Sequence, residues 1–230
     1  MTGAGDAELR HEVKFAAYAT ECESLCHWLR IHPSGFVKTY PDRQVNNVYF
    51  DSWDYRAFAE NLAGVSRRCK LRYRWYGNDD GPTTGALEVK QKRNQLGWKQ
   101  RYAATQDIWS PGTDWQDIRS ALRSQIPPHA RFWFDQYPLP IMLNRYQRRY
   151  FVTADRRIRA TIDTEQQAFD QRQGARPNLR RPAVMQNTLV VEFKFTPDAR
   201  QAAAELLADV PFRLGRHSKY MNALRSIAMA

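Results

Sequence analysis

Apolar and polar residues alternate one by one over much of this chain. Successive side chains of a strand point to opposite faces of a sheet, so alternation of this kind predicts strands. In "SRRCKLRYRWYG" (66–77), Cys69, Leu71, Tyr73 and Trp75 interleave with Arg68, Lys70, Arg72 and Arg74. In "LRHEVKF" (9–15), Arg10, Glu12 and Lys14 take one face, and His11, Val13 and Phe15 the other. "ALEVKQKRN" sets Glu88, Lys90 and Lys92 opposite Leu87 and Val89, and "GWKQRYAA" carries Lys99 and Arg101 in register with each other. Further strands are expected at "VNNVYFD" (45–51), "IMLNRYQRRYFVT", "RRIRATIDTE" and "TLVVEFKFT". In "RRIRATIDTE", Arg157, Arg159, Thr161 and Asp163 share a face; in "TLVVEFKFT", Glu192 and Lys194 lie opposite Val191, Phe193 and Phe195.

Elsewhere the spacing is helical. Residues 16–32 place Tyr18, Cys22, Leu25, Cys26 and Leu29 on one stripe, stopped by Pro33 and Gly35. A short helix carrying Tyr55, Phe58 and Leu62 follows a cap at Asp51 or Ser52, and Gly64 closes it. Residues 114–126 and 129–136 read as two helices split by Pro127 and Pro128, with further helices at 198–208 and from "HSKYMNALRSIA" onward. "GNDDGPTTG" (77–85) reads as a reversing turn, and 166–187, with little periodicity and two prolines, as a long surface loop. With no repeat and no compelling linker, the expectation is one domain over 1–230 with its core at about 9–225.

At least six strands therefore pair an apolar face with a charged one. Antiparallel sheets bury one face and solvate the other, so the apolar faces can pack on the helices. An open sheet satisfies this. So does a closed barrel with a wet, charged lumen, which also removes vulnerable edges. In the closed form Lys14, Lys70, Arg72, Arg74, Lys90, Arg148 and Arg159 crowd one cavity. Such a cavity requires water and a compensating anion, because unpaired desolvated charges are costly. An oligophosphate answers that need, with Arg giving bidentate contacts and Lys a mobile point charge. Glu12, Glu88 and Glu192 either pair with neighbouring cations or, as a set, hold a hard divalent ion such as Mg²⁺ or Mn²⁺.

Charge sharpens this picture. The chain carries 35 Lys and Arg against 24 Asp and Glu, a net +11, which points to a polyanionic partner: nucleic acid, an anionic membrane or a phosphate-rich molecule. Tyr73 and Trp75 fall opposite the cations, which counts against single-stranded RNA, where bases stack within the basic groove. No nucleic acid partner is expected. Three cysteines, an odd count without a repeated CxxC, argue against a disulfide scaffold or a zinc site; Cys22 and Cys26 read as small buried groups. No apolar run reaches the ~18 residues of a membrane helix, and the first residues lack a signal peptide's apolar region. A soluble cytoplasmic chain is expected. No Ser-His-Asp or Cys-His constellation appears.

The segments "SRRCKLRYRWYG", "LEVKQKRNQLGWKQRY", "RYQRRYF", "RIRATID", "VVEFKF" and "HSKY" occur in the order seen in VTC domains. The chain thus resembles the catalytic domain of vacuolar transporter chaperone polyphosphate polymerases, in the triphosphate tunnel metalloenzyme (CYTH-like) superfamily. The resemblance implies an α+β fold: a closed antiparallel barrel of roughly eight strands, forming a basic tunnel with helices packed outside. It implies transfer of the ATP γ-phosphate onto polyphosphate, with Mn²⁺ or Mg²⁺ as cofactor and ATP, triphosphate and polyphosphate as partners. Lys14 matches the first-strand tunnel lysine, and Arg72 and Arg74 the RxR pair. Lys90 and Lys99 match the lysines of the next strands, Arg148 and Arg159 two further phosphate-binding arginines, and Ser218 and Lys219 a Ser-Lys pair in the terminal helix. Glu192 matches the metal-binding glutamate. Arg72, Arg74, Lys90 and Glu192 are the implied catalytic set, with Lys70 added to the phosphate ligands by strand parity. A tunnel triphosphatase, with Glu12 or Glu88 as base, and a non-catalytic polyphosphate-binding module are the alternatives. The sequence differs from the eukaryotic proteins in showing no phosphate-sensing SPX domain and no membrane module. A separate membrane partner is the resulting expectation, with membrane association through it.

Overall fold

The computed structural model describes residues 11–78, 84–93, 96–106, 108, 110, 112–212 and 218–228. Residues 79–83 of the expected turn, and Leu9 and Arg10 of the expected first strand, lie outside the described residues. Eight strands are described: β1 (His11–Tyr18), β2 (Val37–Asp51), β3 (Arg67–Tyr76), β4 (Gly85–Arg93), β5 (Leu96–Ala104), β6 (Leu139–Val152), β7 (Ile158–Asp170) and β8 (Thr188–Phe195). The described helices are α1 (Cys22–Ile31), α2 (Arg56–Leu62), α3 (Trp115–Gln125), α4 (Pro128–Gln136), α5 (Arg200–Ala208) and α6 (Lys219–Ala228). None is long and apolar enough to cross a membrane.

The strands form one antiparallel sheet in the order β1-β8-β7-β6-β2-β3-β4-β5. The α+β class is as expected, but the closed barrel is not: among the described residues the order ends at β1 and β5, so the hydrogen-bond ladder is open. Both end strands are charged and exposed, β1 at His11 and Glu12, β5 at Lys99, Gln100 and Arg101. Charged side chains are a common way of protecting a sheet edge without closing it. Alternation reports which face is buried and is silent about the two ends.

Contacts divide the chain into two compact units. In the first (1–43, 146–166, 186–218), Leu25, Leu29, Cys22 and Cys26 of α1 pack with Phe15, Ile158, Ile162, Val191 and Phe193, and with Ala203 and Leu206 of α5. The helix expected from residue 16 starts later. Ala16 and Ala17 pair with Val190 and Leu189, which extends β1 to Tyr18, and a 3₁₀ turn at Ala19–Glu21 separates it from α1. Tyr18, placed on the helical stripe by spacing, is 74% exposed.

In the second unit (44–145, 167–185, 219–230), Leu71, Tyr73 and Trp75 of β3, Leu87 and Val89 of β4, and Val48 and Phe50 of β2 pack on Ile118 and Leu122 of α3 and Phe134 of α4. A further cluster joins Tyr49, Ile141 and Met142 to Tyr220, Leu224 and Ile227 of α6. The Asp51 carboxylate accepts from the Ala57 and Phe58 N–H groups (2.8 and 3.0 Å), and Ser52 Oγ from Arg56 N–H (3.0 Å), so both expected caps act. The expected stripe differs: Ala57 is buried, whereas Tyr55 and Leu62 are exposed. The surface loop expected from 166 begins later, because β7 runs on to Asp170 and buries Ala168 and Phe169. Buried Gln171 clasps Asn178 by both its backbone groups (2.8 Å each), ordering a segment that shows no periodicity. Residues 37–44 extend β2 although they are mostly exposed and carry Pro41.

Candidate functional site

Each unit carries a charged face built by strand parity. In the second unit, the apolar side chains of β3 turn toward the helices, which leaves Lys70, Arg72 and Arg74 on the reverse. Register aligns them with the neighbouring strands: Arg74 with Asn47, Arg72 with Tyr49 and Glu88, and Lys70 with Lys90, which in turn pairs with Lys99. Lys70, Lys90 and Lys99 thus form a row across three strands. Among the described residues of β3, β4 and β5, Glu88 is the one carboxylate on this face.

Glu88 is 2% exposed and fully engaged. Its Oε2 accepts from Arg72 Nε (2.9 Å) and Nη2 (2.6 Å), and its Oε1 from Lys99 Nζ (3.1 Å). Burial alone would raise its pKa, but the charges of Arg72, Arg74 and Lys99 outweigh burial and hold the carboxyl well below the usual range. Arg72 also donates to Tyr49 Oη (3.0 Å). Arg74 is buried and donates from Nε to Asn47 Oδ1 (2.7 Å), whose amide donates to Asn144 Oδ1 (2.8 Å). Both guanidinium groups are therefore fixed before any ligand arrives. Lys70 Nζ lies 4.7 Å from the Tyr220 ring centroid, and Tyr220 Oη donates to Asp51 (3.3 Å). Lys219, half-buried, is the first residue of α6, and half-buried Ser218 precedes it. Lys90 is exposed.

In the first unit, Lys14 pairs in register with Glu192, Glu192 with Thr161, and Lys194 with both Glu12 and Arg159. Lys14 contacts Glu12 at 2.5 Å and Glu192 at 4.0 Å, and Lys194 bridges Glu192 and Glu12. Glu192 is buried. The Thr161 hydroxyl is buried with no hydrogen-bond partner. Two carboxylates and an orphaned hydroxyl on one face are hard oxygen donors, a set that fits Mg²⁺ or Mn²⁺. Arg148 grips buried Asp163 through Nε (2.5 Å) and Nη2 (2.7 Å). Burial would lower the Arg148 pKa, but Tyr146, Asp163 and Glu192 raise it well above the ordinary value. Arg159 is exposed on β7.

The structure thus gathers Lys70, Arg72, Arg74, Lys90 and Lys99 on one face, and Glu12, Lys14, Arg159 and Glu192 on another. Of the partners that hold them, Asn47, Tyr49, Asn144 and Tyr220 were not singled out in the sequence, and Asp163 was noted only for sharing the face of Arg159. Parity offered one usable signal, since Asn47, Tyr49 and Asp51 alternate with Val48 and Phe50.

The family model described as VTC domain matches residues 8–228. No curated protein matches the chain in sequence. Among solved structures, a Vibrio parahaemolyticus protein described as a candidate adenylate cyclase is 13% identical, with TM-score 0.51, covering 96% of this chain and 99% of its own. A Hippeastrum protein, described as a candidate adenylyl cyclase with a dominant triphosphatase activity, is 14% identical, with TM-score 0.55 and 93% of each chain covered. At such identities the likeness concerns the fold alone.

Proposed function

The chain belongs to the VTC domain family, and from that premise we propose a phosphotransferase that moves the γ-phosphoryl group of ATP onto a polyphosphate chain. The observation that supports it is the β3–β5 face, where Lys70, Arg72, Arg74, Lys90 and Lys99 stand with Glu88, the one carboxylate on that face among the described residues of these strands. Phosphoryl transfer asks a protein mainly for positioning and charge, because its transition state spreads negative charge over equatorial oxygens. Arg72 and Arg74, already fixed by Glu88, Tyr49 and Asn47, supply that charge without reorganising. In this reading Lys14, Arg148, Arg159, Ser218 and Lys219 are further phosphate ligands. A terminal oxygen of the acceptor chain bonds to the γ-phosphorus. The bond from that phosphorus to the bridging oxygen breaks, and ADP leaves with the electron pair.

The acceptor oxygen is already ionised, so no general base is needed. Water would need one. Glu88 is saturated by Arg72 and Lys99, and Glu12 is paired with Lys14, which favours the phosphate acceptor over hydrolysis. Glu192, with Glu12 and Thr161, would hold Mn²⁺ or Mg²⁺, which when bound neutralises charge on phosphate oxygens. The test is incubation of the pure protein with ATP and either metal, followed by gel electrophoresis. Long polyphosphate chains support the proposal. Inorganic phosphate alone would make the protein a triphosphatase, and neither product would leave a binding module.

A further inference from the structure

The end of the β3–β4 ladder farthest from Arg74 carries a second basic feature. A cavity of about 850 Å³ opens among residues of α2, β3, β4 and α4. Its lining includes Arg67, Cys69, Gln91 and Arg93 of one parity, Arg68 and Lys92 of the other, and the rings of Trp98, Phe132 and Trp133. Register sets Arg67 directly opposite Arg93, and the next pair is Arg68 opposite Lys92. Like charges facing each other across strands destabilise the pair, so this hairpin end carries a cost that a bound anion removes. Two acids also line the cavity, each already paired with another lining residue: Glu60 accepts from Arg56 (2.7 Å), and Asp54 from Ser52 Oγ (2.6 Å).

The aromatic walls decide what kind of anion fits. Phe132 is 62% exposed and Trp98 37%, and both line the cavity together with Arg67 and Arg93. Exposed rings in a recess are apolar surface left wet, and a planar ligand stacking there removes it from water. An inorganic anion would leave these walls unused, and a flat bilayer surface does not enter a recess. The volume falls within the roughly 300–1,000 Å³ of small-molecule sites. We propose that this cavity binds a nucleoside phosphate, its base against Trp98, Phe132 and Trp133 and its phosphates on Arg67 and Arg93, separately from the phosphate row around Arg72 and Arg74. Occupancy here requires no turnover.

The test measures ADP binding by calorimetry without divalent metal, in the Arg72→Ala, Arg74→Ala double variant, which weakens that row. Expected is one remaining ADP site, with pyrophosphate and adenosine each weaker by about tenfold or more. Adding Arg67→Glu, which sets an acid opposite Arg93, should abolish that site and, by relieving repulsion, leave the melting temperature no lower. Trp98→Ala, which leaves the cations in place, should weaken ADP and leave pyrophosphate unchanged. Absence of ADP binding in the double variant overturns the proposal. So does ADP binding that survives both Arg67→Glu and Trp98→Ala, or pyrophosphate binding as tightly as ADP. None of these outcomes depends on polyphosphate synthesis, which the gel assay reads separately.

Discussion

Arg72 and Arg148 look alike in sequence, each a cation on an alternating strand, and the structure commits them differently. Arg148 spends Nε and Nη2 on Asp163, which is completely buried. Arg148→Ala should cost about 3–5 kcal/mol, the range for leaving a buried charge without its partner, read as a lower denaturation midpoint. A change in activity with no loss of stability would show that the Asp163 pair does not hold the fold and would leave Arg148 with its proposed ligand role alone. Arg72 shares Glu88 with Lys99 and keeps a bond to Tyr49. The folded-state pKa of Glu88 lies below its unfolded value of about 4.3. Its contribution to stability is therefore complete above that value and is lost as pH falls toward the folded one. Glu88→Gln should flatten the acid limb of the stability–pH profile; an unchanged limb would assign acid unfolding to other carboxylates. At Glu192 the expectation concerns chemistry: Glu192→Gln should abolish metal-dependent turnover while the fold survives. Full activity at saturating metal would remove Glu192 from the mechanism. The cations were legible singly, but Asp163 and Asn47 become partners only through strand register, which one strand's pattern does not contain.

At the scale of elements, β3 was the most readable segment, because its parity is strict and each face has one character. Leu71, Tyr73 and Trp75 all lie in the core, opposite Lys70, Arg72 and Arg74. Leu71→Ala should cost about 2–5 kcal/mol, as for other fully buried leucines, whereas Arg68→Ala on the charged face should leave the denaturation midpoint nearly unchanged. Comparable losses from both would contradict the assigned faces. The boundary of α1 was less readable because Ala16 and Ala17 suit either element, and pairing with β8 decided it. The end of β7 was hidden for a related reason: Ala168 and Phe169 are buried in a stretch whose other residues are mostly polar. Closure was the least readable feature, since no local pattern states what the two end strands meet.

For the whole molecule the governing quantity is the net charge of +11, much of it gathered on strand faces. Crowded cations repel one another in the empty protein, and an anion that binds only the folded form stabilises it by mass action. Linked phosphates should matter more than free ones, because one tripolyphosphate spans several cations while screening by salt ignores linkage. Ligand at about 100 times its dissociation constant contributes about 2.7 kcal/mol, which for a domain of this size is a rise in Tm of roughly 5–10 °C. The measurement is thermal unfolding with tripolyphosphate and with orthophosphate at equal ionic strength, on the wild type and on the Arg72→Ala, Arg74→Ala double variant. A large rise with tripolyphosphate, a small one with orthophosphate, and loss of most of the difference in the variant is the predicted result. Equal shifts from the two anions, or a full tripolyphosphate shift in the variant, would contradict the assignment of this face to linked phosphates.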